Sequence, residues 1–145
     1  MIKILIGLLI LLHPVSSLAE DMQLVNQNGV YFIPITINDS ITANGMLDTG
    51  ASEMVIPFNI VAALIQSKSI TSTDYLKEGA YILADGSTHI NERVNIAKIV
   101  IGKTSFYNLA AIVGNKYTKL LIGQNLLRKV GSYTIDNNKH ILIID

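Results

Sequence analysis

Apolar and polar residues alternate in short bursts along most of this chain, which is the signature of strands rather than long helices. Val30-Tyr31-Phe32-Ile33-Pro34-Ile35-Thr36-Ile37 is dense in β-branched and aromatic residues and predicts a strand. Pro34, which has no N–H to donate, places an edge or an irregularity within it. Asn38-Asp39-Ser40 has turn chemistry, and Ile41–Leu47 returns as a second strand. Met54-Val55-Ile56 is extended up to Pro57. Phe58–Gln66 predicts a short helix with Ile60, Val61 and Leu64 on one side. Tyr81-Ile82-Leu83-Ala84 and Ser87-Thr88-His89-Ile90 flank Asp85-Gly86, a hairpin signal that favours a tight two-residue turn. Strands follow at 94–101 and 107–113, then a polar loop at 114–118 and the apolar Leu120-Leu121-Ile122. Gly123 ends that strand. Gln124–Val130 predicts a helix with Arg128 and Lys129 in its last turn and Gly131 as its C-cap. Residues 132–135 and 140–144 bracket Asp136-Asn137-Asn138-Lys139 as a final hairpin. The pattern is that of one mainly β domain without repeats or internal linkers.

The N-terminus stands apart from this pattern. Met1-Ile2-Lys3 is a short basic start, residues 4–12 are apolar apart from Gly7, and Ser17-Leu18-Ala19 is a small-x-small site. That is the layout of a secretory signal peptide, with cleavage expected after Ala19. The apolar run is short of the ~20 residues of a comfortable membrane span. An uncleaved N-terminal anchor is the alternative. Residues 20–145 then form the domain, a length that fits a single core. Removing Lys3 leaves 10 basic against 11 acidic side chains, and the mature part has no basic run. Nucleic acid and, after cleavage, membrane surfaces are therefore not expected partners. Cysteine is absent, so an exported chain must fold without disulfides. The balance points to export into a bacterial periplasm, or to an inner-membrane anchor facing it.

One motif carries chemistry. In Leu47-Asp48-Thr49-Gly50-Ala51-Ser52 an apolar strand ends in a turn that presents a carboxylate, and Gly50 lets backbone approach a ligand closely. The motif occurs once, with no second Asp-Thr-Gly or Asp-Ser-Gly. Other candidates read as structural. Asp85 and Asp136 sit in hairpin turns. His89 and His140 lie in separate strands, so neither a metal nor any other cofactor is expected. Ser52 has no nucleophile-elbow context.

The order of these pieces resembles the retropepsin-like, retroviral-type aspartic proteases and their exported bacterial relatives. Asp48-Thr49-Gly50-Ala51 matches the catalytic turn, the Asp85-Gly86 hairpin stands where that family has its flap, and Leu121-Ile122-Gly123 with the helix after it matches the tail. The resemblance covers nearly all of residues 30–135. It implies an acid-protease fold, a closed barrel-like sandwich with a flap and a short C-terminal helix. It also implies a homodimeric aspartic endopeptidase acting on a peptide or protein substrate. In that scheme Asp48 of each copy activates water, Thr49 bonds across the dimer, and Gly50 offers its carbonyl to the substrate. Ala51 is the retroviral choice and implies a less acidic optimum than pepsin's. Ala84, Asp85 and Gly86 form the flap tip that closes over an extended peptide.

Two departures accompany the resemblance. Viral members carry an acid at Ser52 and an Arg at Gln124, and pair them; here both are neutral, so no buried charge is left alone. Viral chains also stop after one C-terminal strand, whereas this chain adds another. A catalytically silent dimeric peptide-binding or assembly domain of the same fold is the alternative function.

Overall fold

Residues 20–83 and 85–144 are described in the computed structural model, so the expectations for residues 1–19 and for Ala84 lie outside the described residues. The strands are β1 (Glu20–Gln23), β2 (Val25–Gln27), β3 (Val30–Ile37), β4 (Ile41–Leu47), β5 (Met54–Pro57), β6 (Tyr75–Ile82), β7 (Thr88–Ile101), β8 (Thr104–Gly114), β9 (Leu121–Ile122), β10 (Tyr133–Asp136) and β11 (Ile141–Ile144). Two helices, α1 (Phe58–Gln66) and α2 (Gln124–Val130), occupy the predicted segments.

The larger sheet runs β2-β3-β4-β9-β5-β8-β7-β6, and β7 also pairs with β3 through Ile35↔Ile101 to Ile37↔Ile99. That pairing closes β3, β4, β9, β5, β8 and β7 into a ring and leaves β2 and β6 outside it. Pro34 falls where β3 changes partner on that side, after β2 stops opposite Phe32 and before β7 begins opposite Ile35. Its missing N–H therefore costs no ladder bond on the switching edge. Asn38 staples the closure. Its N–H donates to the Lys98 carbonyl (2.8 Å), while its side-chain oxygen accepts the Lys98 N–H (2.9 Å). Asn38 and Asp39 both have positive φ (49° and 52°) in the three-residue loop that leaves Ile37 opposite Ile41, and the Ser40 N–H closes it by donating to the Ile37 carbonyl (3.0 Å).

The barrel is filled by Ile33, Ile35 and Ile37 of β3, Met54 and Ile56 of β5 and Ile122 of β9. Along β7 the buried positions run Val94 and Ile96, then Ile99 and Ile101, a change of phase opposite Asn108, whose φ is 53°. The long strand bends there, so one half supports the flap and the other closes the ring. Val61 and Leu64 of α1 are buried and Ile60 packs at the margin, as the helical spacing predicts.

A second, three-stranded antiparallel sheet runs β1-β11-β10. Segment 20–28, which shows no element signal in the sequence, thus contributes two strands. β1 pairs with the additional C-terminal strand, Glu20 opposite Ile144 and Gln23 opposite Ile141. Leu142 and Ile144 are buried, with Met22, Tyr133 and Ile135 packed against them.

The hairpin at Asp85-Gly86 departs from the two-residue turn expected of it. Leu83 N–H donates to the Ser87 carbonyl (2.8 Å) and Gly86 N–H to the Leu83 carbonyl (2.9 Å). The strands therefore close one residue farther out than Asp-Gly alone requires. Gly86, at φ 84°, supplies the left-handed residue that follows the turn in a three-residue hairpin.

Candidate active site

β4 delivers Asp48 to the end of the barrel, and Leu47 beside it is held by pairing with Ile122. The backbone then folds so that Gly50 and Ala51 point their N–H groups back at the carboxylate. Both donate to Asp48 Oδ1, at 2.9 and 3.2 Å. Oδ2 has no hydrogen-bond partner among the described residues. One oxygen is thus fixed by the backbone. Thr49 is exposed in the single chain, and its carbonyl accepts a bond from Gln124 Nε2 at 3.0 Å.

The loop is held by the N-terminus of α2. This helix has no side-chain N-cap, so its first N–H groups need acceptors from elsewhere. Gln124 N–H donates to the Ala51 carbonyl (2.8 Å) and Asn125 N–H to the Ser52 carbonyl (3.1 Å). The approach is close enough to require Gly123, because a Cβ there would lie 2.2 Å from the Glu53 carbonyl oxygen. Ile122 is fully buried, whereas Leu121 is half-buried and lines the cleft, so only one of the two is plain core filling.

Asn125, which the sequence pattern does not single out, locks three elements together. Its side-chain oxygen accepts the Met54 N–H (2.9 Å), and its amide nitrogen donates to the Ala110 carbonyl (2.7 Å). No local signal marks it, because its partners lie in β5 and β8. The Glu53–Arg93 pair is hidden for the same reason. Arg93 Nε donates to Glu53 Oε2 at 2.9 Å and its Nη2 to Oε1, a forked pair with both side chains about three-quarters buried. Ser52 and Gln124 are neutral as the sequence requires, and an ion pair stands instead one residue later, tying the Asp48 loop to the base of the flap strand β7.

Above the loop lies a cleft of about 720 Å³, with Asp48, Gly50 and Ala51 on its floor and Ile112, Ile82 and Leu83 among its walls. Ile82 is 73% exposed and Leu83 41% exposed, so the flap presents apolar side chains that nothing in the single chain covers. At the tip, Asp85 Oδ1 accepts bonds from Ser87 Oγ (2.6 Å) and Ser87 N–H (2.9 Å), and His89 Nε2 lies 3.1 Å from the same hydroxyl. The Ser87 hydroxyl, then the Ser87 N–H, with His89 nearby, hold the Asp85 carboxyl below its ordinary value. Asp85 is thus a turn-stabilising residue by geometry. Asp136 acts in the same way in the final hairpin, accepting the Asn138 and Lys139 N–H groups.

Among the described residues no group of three or more His, Asp or Glu side chains is placed to hold a metal ion. A closed β-barrel with one Asp-Thr-Gly turn, a flap over it and a short helix locking the loop from behind is the architecture of a retropepsin-like protein. The chain belongs to the family described as "gag-polyprotein putative aspartyl protease", whose model matches residues 33–129. Among solved structures it is similar to a retropepsin-like aspartic protease from Rickettsia conorii. That likeness has a TM-score of 0.61 at 24% identity and covers 87% of this chain and 98% of the other. It is a likeness of fold. No curated protein sequence matches the chain.

Two outcomes test this geometry. Asn125→Ala should destabilise the protein by about 1–3 kcal/mol, because it strands the buried Met54 N–H and the Ala110 carbonyl. Urea unfolding with an unchanged m-value is the measurement, and a loss under 0.5 kcal/mol would remove Asn125 from the locking role. At the flap, a depressed Asp85 pKa means that the turn gains stability above the ordinary carboxylate range. That gain is lost as pH falls through the depressed value. Ser87→Ala should therefore raise the Asp85 titration midpoint, read by carboxyl carbon NMR. A midpoint that does not move would show that the hydroxyl bond does not set it.

Proposed function

We propose that the protein is an aspartic endopeptidase that hydrolyses peptide bonds in a homodimer, with Asp48 from each copy forming the catalytic pair. The observation that carries this reading is the Asp48 carboxylate, pinned through Oδ1 by the Gly50 and Ala51 N–H groups on the floor of a flap-covered cleft. Two carboxylates brought together cannot both ionise cheaply, so the pair shares one proton. The ionised member accepts a proton from water as the water attacks the carbonyl carbon. The protonated member donates to the carbonyl oxygen. Collapse of the tetrahedral intermediate breaks the C–N bond as the amine takes the proton that the first carboxylate received from water, and a hydroxyl of the intermediate returns its proton to the second. Thr49 and Gly50 supply loop geometry and backbone contacts. The flap around Asp85 and Gly86 adds a strand to an extended peptide and excludes bulk water.

The chain is, in this reading, exported. Residues 1–19 act as the signal and residues 20–145 as the protease domain, working in a bacterial periplasm. Support comes from the basic start, the apolar run and the small-x-small site, and from the absence of cysteine. The intact mass of the protein recovered from its producing cells should correspond to a chain beginning at Glu20. A full-length mass in the membrane fraction would establish the anchored form instead.

The deciding experiment incubates the mature protein with a diverse peptide library, with and without a pepstatin-type inhibitor. Wild type should cleave and the inhibitor should stop it, whereas Asp48→Asn should lose cleavage by at least about 10³-fold while keeping its fold, since no base remains to take the proton. Substantial activity in Asp48→Asn would move the chemistry elsewhere. Peptide binding without cleavage by wild type would establish the silent binding domain.

A further inference from the structure

β7 and β8 run side by side only as far as Arg93 opposite Ile112. Beyond that pair β7 belongs to the flap arm with β6, while β8 continues beside β5 through Val113 and Gly114. The two strands part there and leave a wedge between them. Residues 88–92 of β7 keep β6 on one side and have no ladder partner on the other among the described residues. A strand side left open in this way is a template for another extended chain. The apex is already bridged, because Asn91 Nδ2 donates to the Val113 carbonyl at 2.8 Å.

The walls are apolar where the core runs out. Val94 and Ile96 are fully buried, and the same face of β7 continues outward through Glu92 to Ile90, which is 70% exposed. Phe58, the first residue of α1, is 56% exposed. Phe58 and Ile90 line one cavity of about 500 Å³ together with Glu92 and Lys116. Glu92 adjoins the apex, and Lys116 lies beyond Gly114, toward the mouth.

The loop that carries Lys116 is well fixed. Asn115 Oδ1 accepts the Tyr117 N–H (2.8 Å), and the Asn115 carbonyl accepts the Thr118 N–H (3.1 Å). A Cβ on Gly114 would lie 2.7 Å from Thr118 Cβ, so the loop closes tightly. Lys116 Nζ rests 4.9 Å from the centre of the Tyr117 ring. Among the described residues neither Lys116 nor Glu92 is ion-paired.

These features choose the occupant. An open strand side calls for backbone N–H and C=O groups, which an extended peptide has and a lipid surface lacks. Unpaired charges of opposite sign at the two ends call for a segment that bears both signs, and Glu92 would repel an anionic surface.

We propose that the wedge is a second peptide-binding site, outside the cleft that holds Asp48, and that it takes an extended segment of a partner protein. The segment adds to β7 antiparallel and seats one apolar side chain between Phe58 and Ile90. Two residues to either side on the same face, it carries a basic residue toward Glu92 and an acidic one toward Lys116. The site needs neither a catalytic Asp48 nor a second copy, so it stands apart from the function proposed above.

The probe is the acetylated and amidated peptide Lys-Thr-Ile-Thr-Glu, titrated into isotope-labelled Asp48→Asn protein and followed by amide NMR. Shifts should saturate and centre on Ile90, Asn91, Gly114 and Lys116, leaving Gly50 and Leu121 unmoved. Phe58→Ser should weaken binding about tenfold and Lys116→Glu about threefold, both with unchanged circular dichroism. The Lys116→Glu protein should regain affinity for Lys-Thr-Ile-Thr-Lys, a rescue that a merely structural role for Lys116 would not give. Shifts confined to Gly50 and Leu121 would make the peptide a cleft ligand and overturn the proposal. An absence of saturable shifts, or an affinity untouched by Phe58→Ser, would overturn it too. Self-association that Phe58→Ser abolishes in sedimentation, without peptide shifts, would assign the wedge to a second copy. Flotation with phosphatidylglycerol vesicles that Phe58→Ser abolishes, again without peptide shifts, would assign it to lipid. Either result sinks the peptide site. Cleavage is measured separately on wild type. A protein that binds at the wedge and cuts nothing loses the enzyme reading and keeps this one, and a protein that cuts peptides without wedge shifts does the reverse.

Discussion

Two backbone hydrogen bonds, from the first N–H groups of α2 to the carbonyls of Ala51 and Ser52, hold the part of the molecule with the least structure of its own. The Asp48 loop has no secondary structure to fix it, and α2 has no side-chain cap to satisfy its leading N–H groups. Each deficit removes the other. The exchange works only at very close approach, which Gly123 permits because any Cβ would strike the Glu53 carbonyl. Asn125 then fastens the same helix to β5 and β8. The position of the Asp48 carboxylate is thus referred, through one helix, to the closed barrel.

Closure of the barrel produces a gradient of rigidity from floor to flap. The ring β3-β4-β9-β5-β8-β7 has few free margins, and its interior is packed with Ile33, Ile35, Ile56 and Ile122. β6 and the outer half of β7 leave this ring as a two-stranded arm, which is marginal on its own. Arg93 and Glu53 stand at the boundary. Their forked pair ties the root of the arm to the Asp48 loop, and a Cβ on Gly79 would lie 2.6 Å from Arg93 Cδ. Beyond that root the side chains are exposed, including Ile82, Leu83 and Ile90. Exposed side chains at the tip and dense packing at the base make the arm the less supported of the two.

Most of this was legible wherever a signal is local. The bounds of β3, β4, α1 and α2 follow from alternation, helical spacing and punctuation by Gly123 and Gly131, and Pro34 marks the place where β3 changes partner. The Asp-Thr-Gly turn is legible as a turn because it is contained in three consecutive residues. What stayed hidden depends on contacts distant in sequence. Glu20–Gln23 becomes a strand because β11 offers a free side, and its polar composition says nothing of that. Arg93 finds Glu53 across 40 positions, and Asn125 finds Met54 across 71. The Asp85-Gly86 turn is larger than its sequence suggests because Asp-Gly suits both a two-residue hairpin and the end of a three-residue one. The bond from Leu83 to Ser87 decides between them.

The placement of charge around the site follows from the cost of burying an ion without a partner. At Ser52 and Gln124 both members of the viral pair are neutral, and Gln124 uses its amide to hold the Thr49 carbonyl instead. That amide bond carries no charge into the neighbourhood of Asp48. Glu53 and Arg93 keep a charged clamp, but with each ion matched by its partner through two bonds, so little net field escapes. The groups that touch the Asp48 carboxylate are therefore uncharged: the Gly50 and Ala51 N–H groups hold one oxygen, and the other has no hydrogen-bond partner among the described residues.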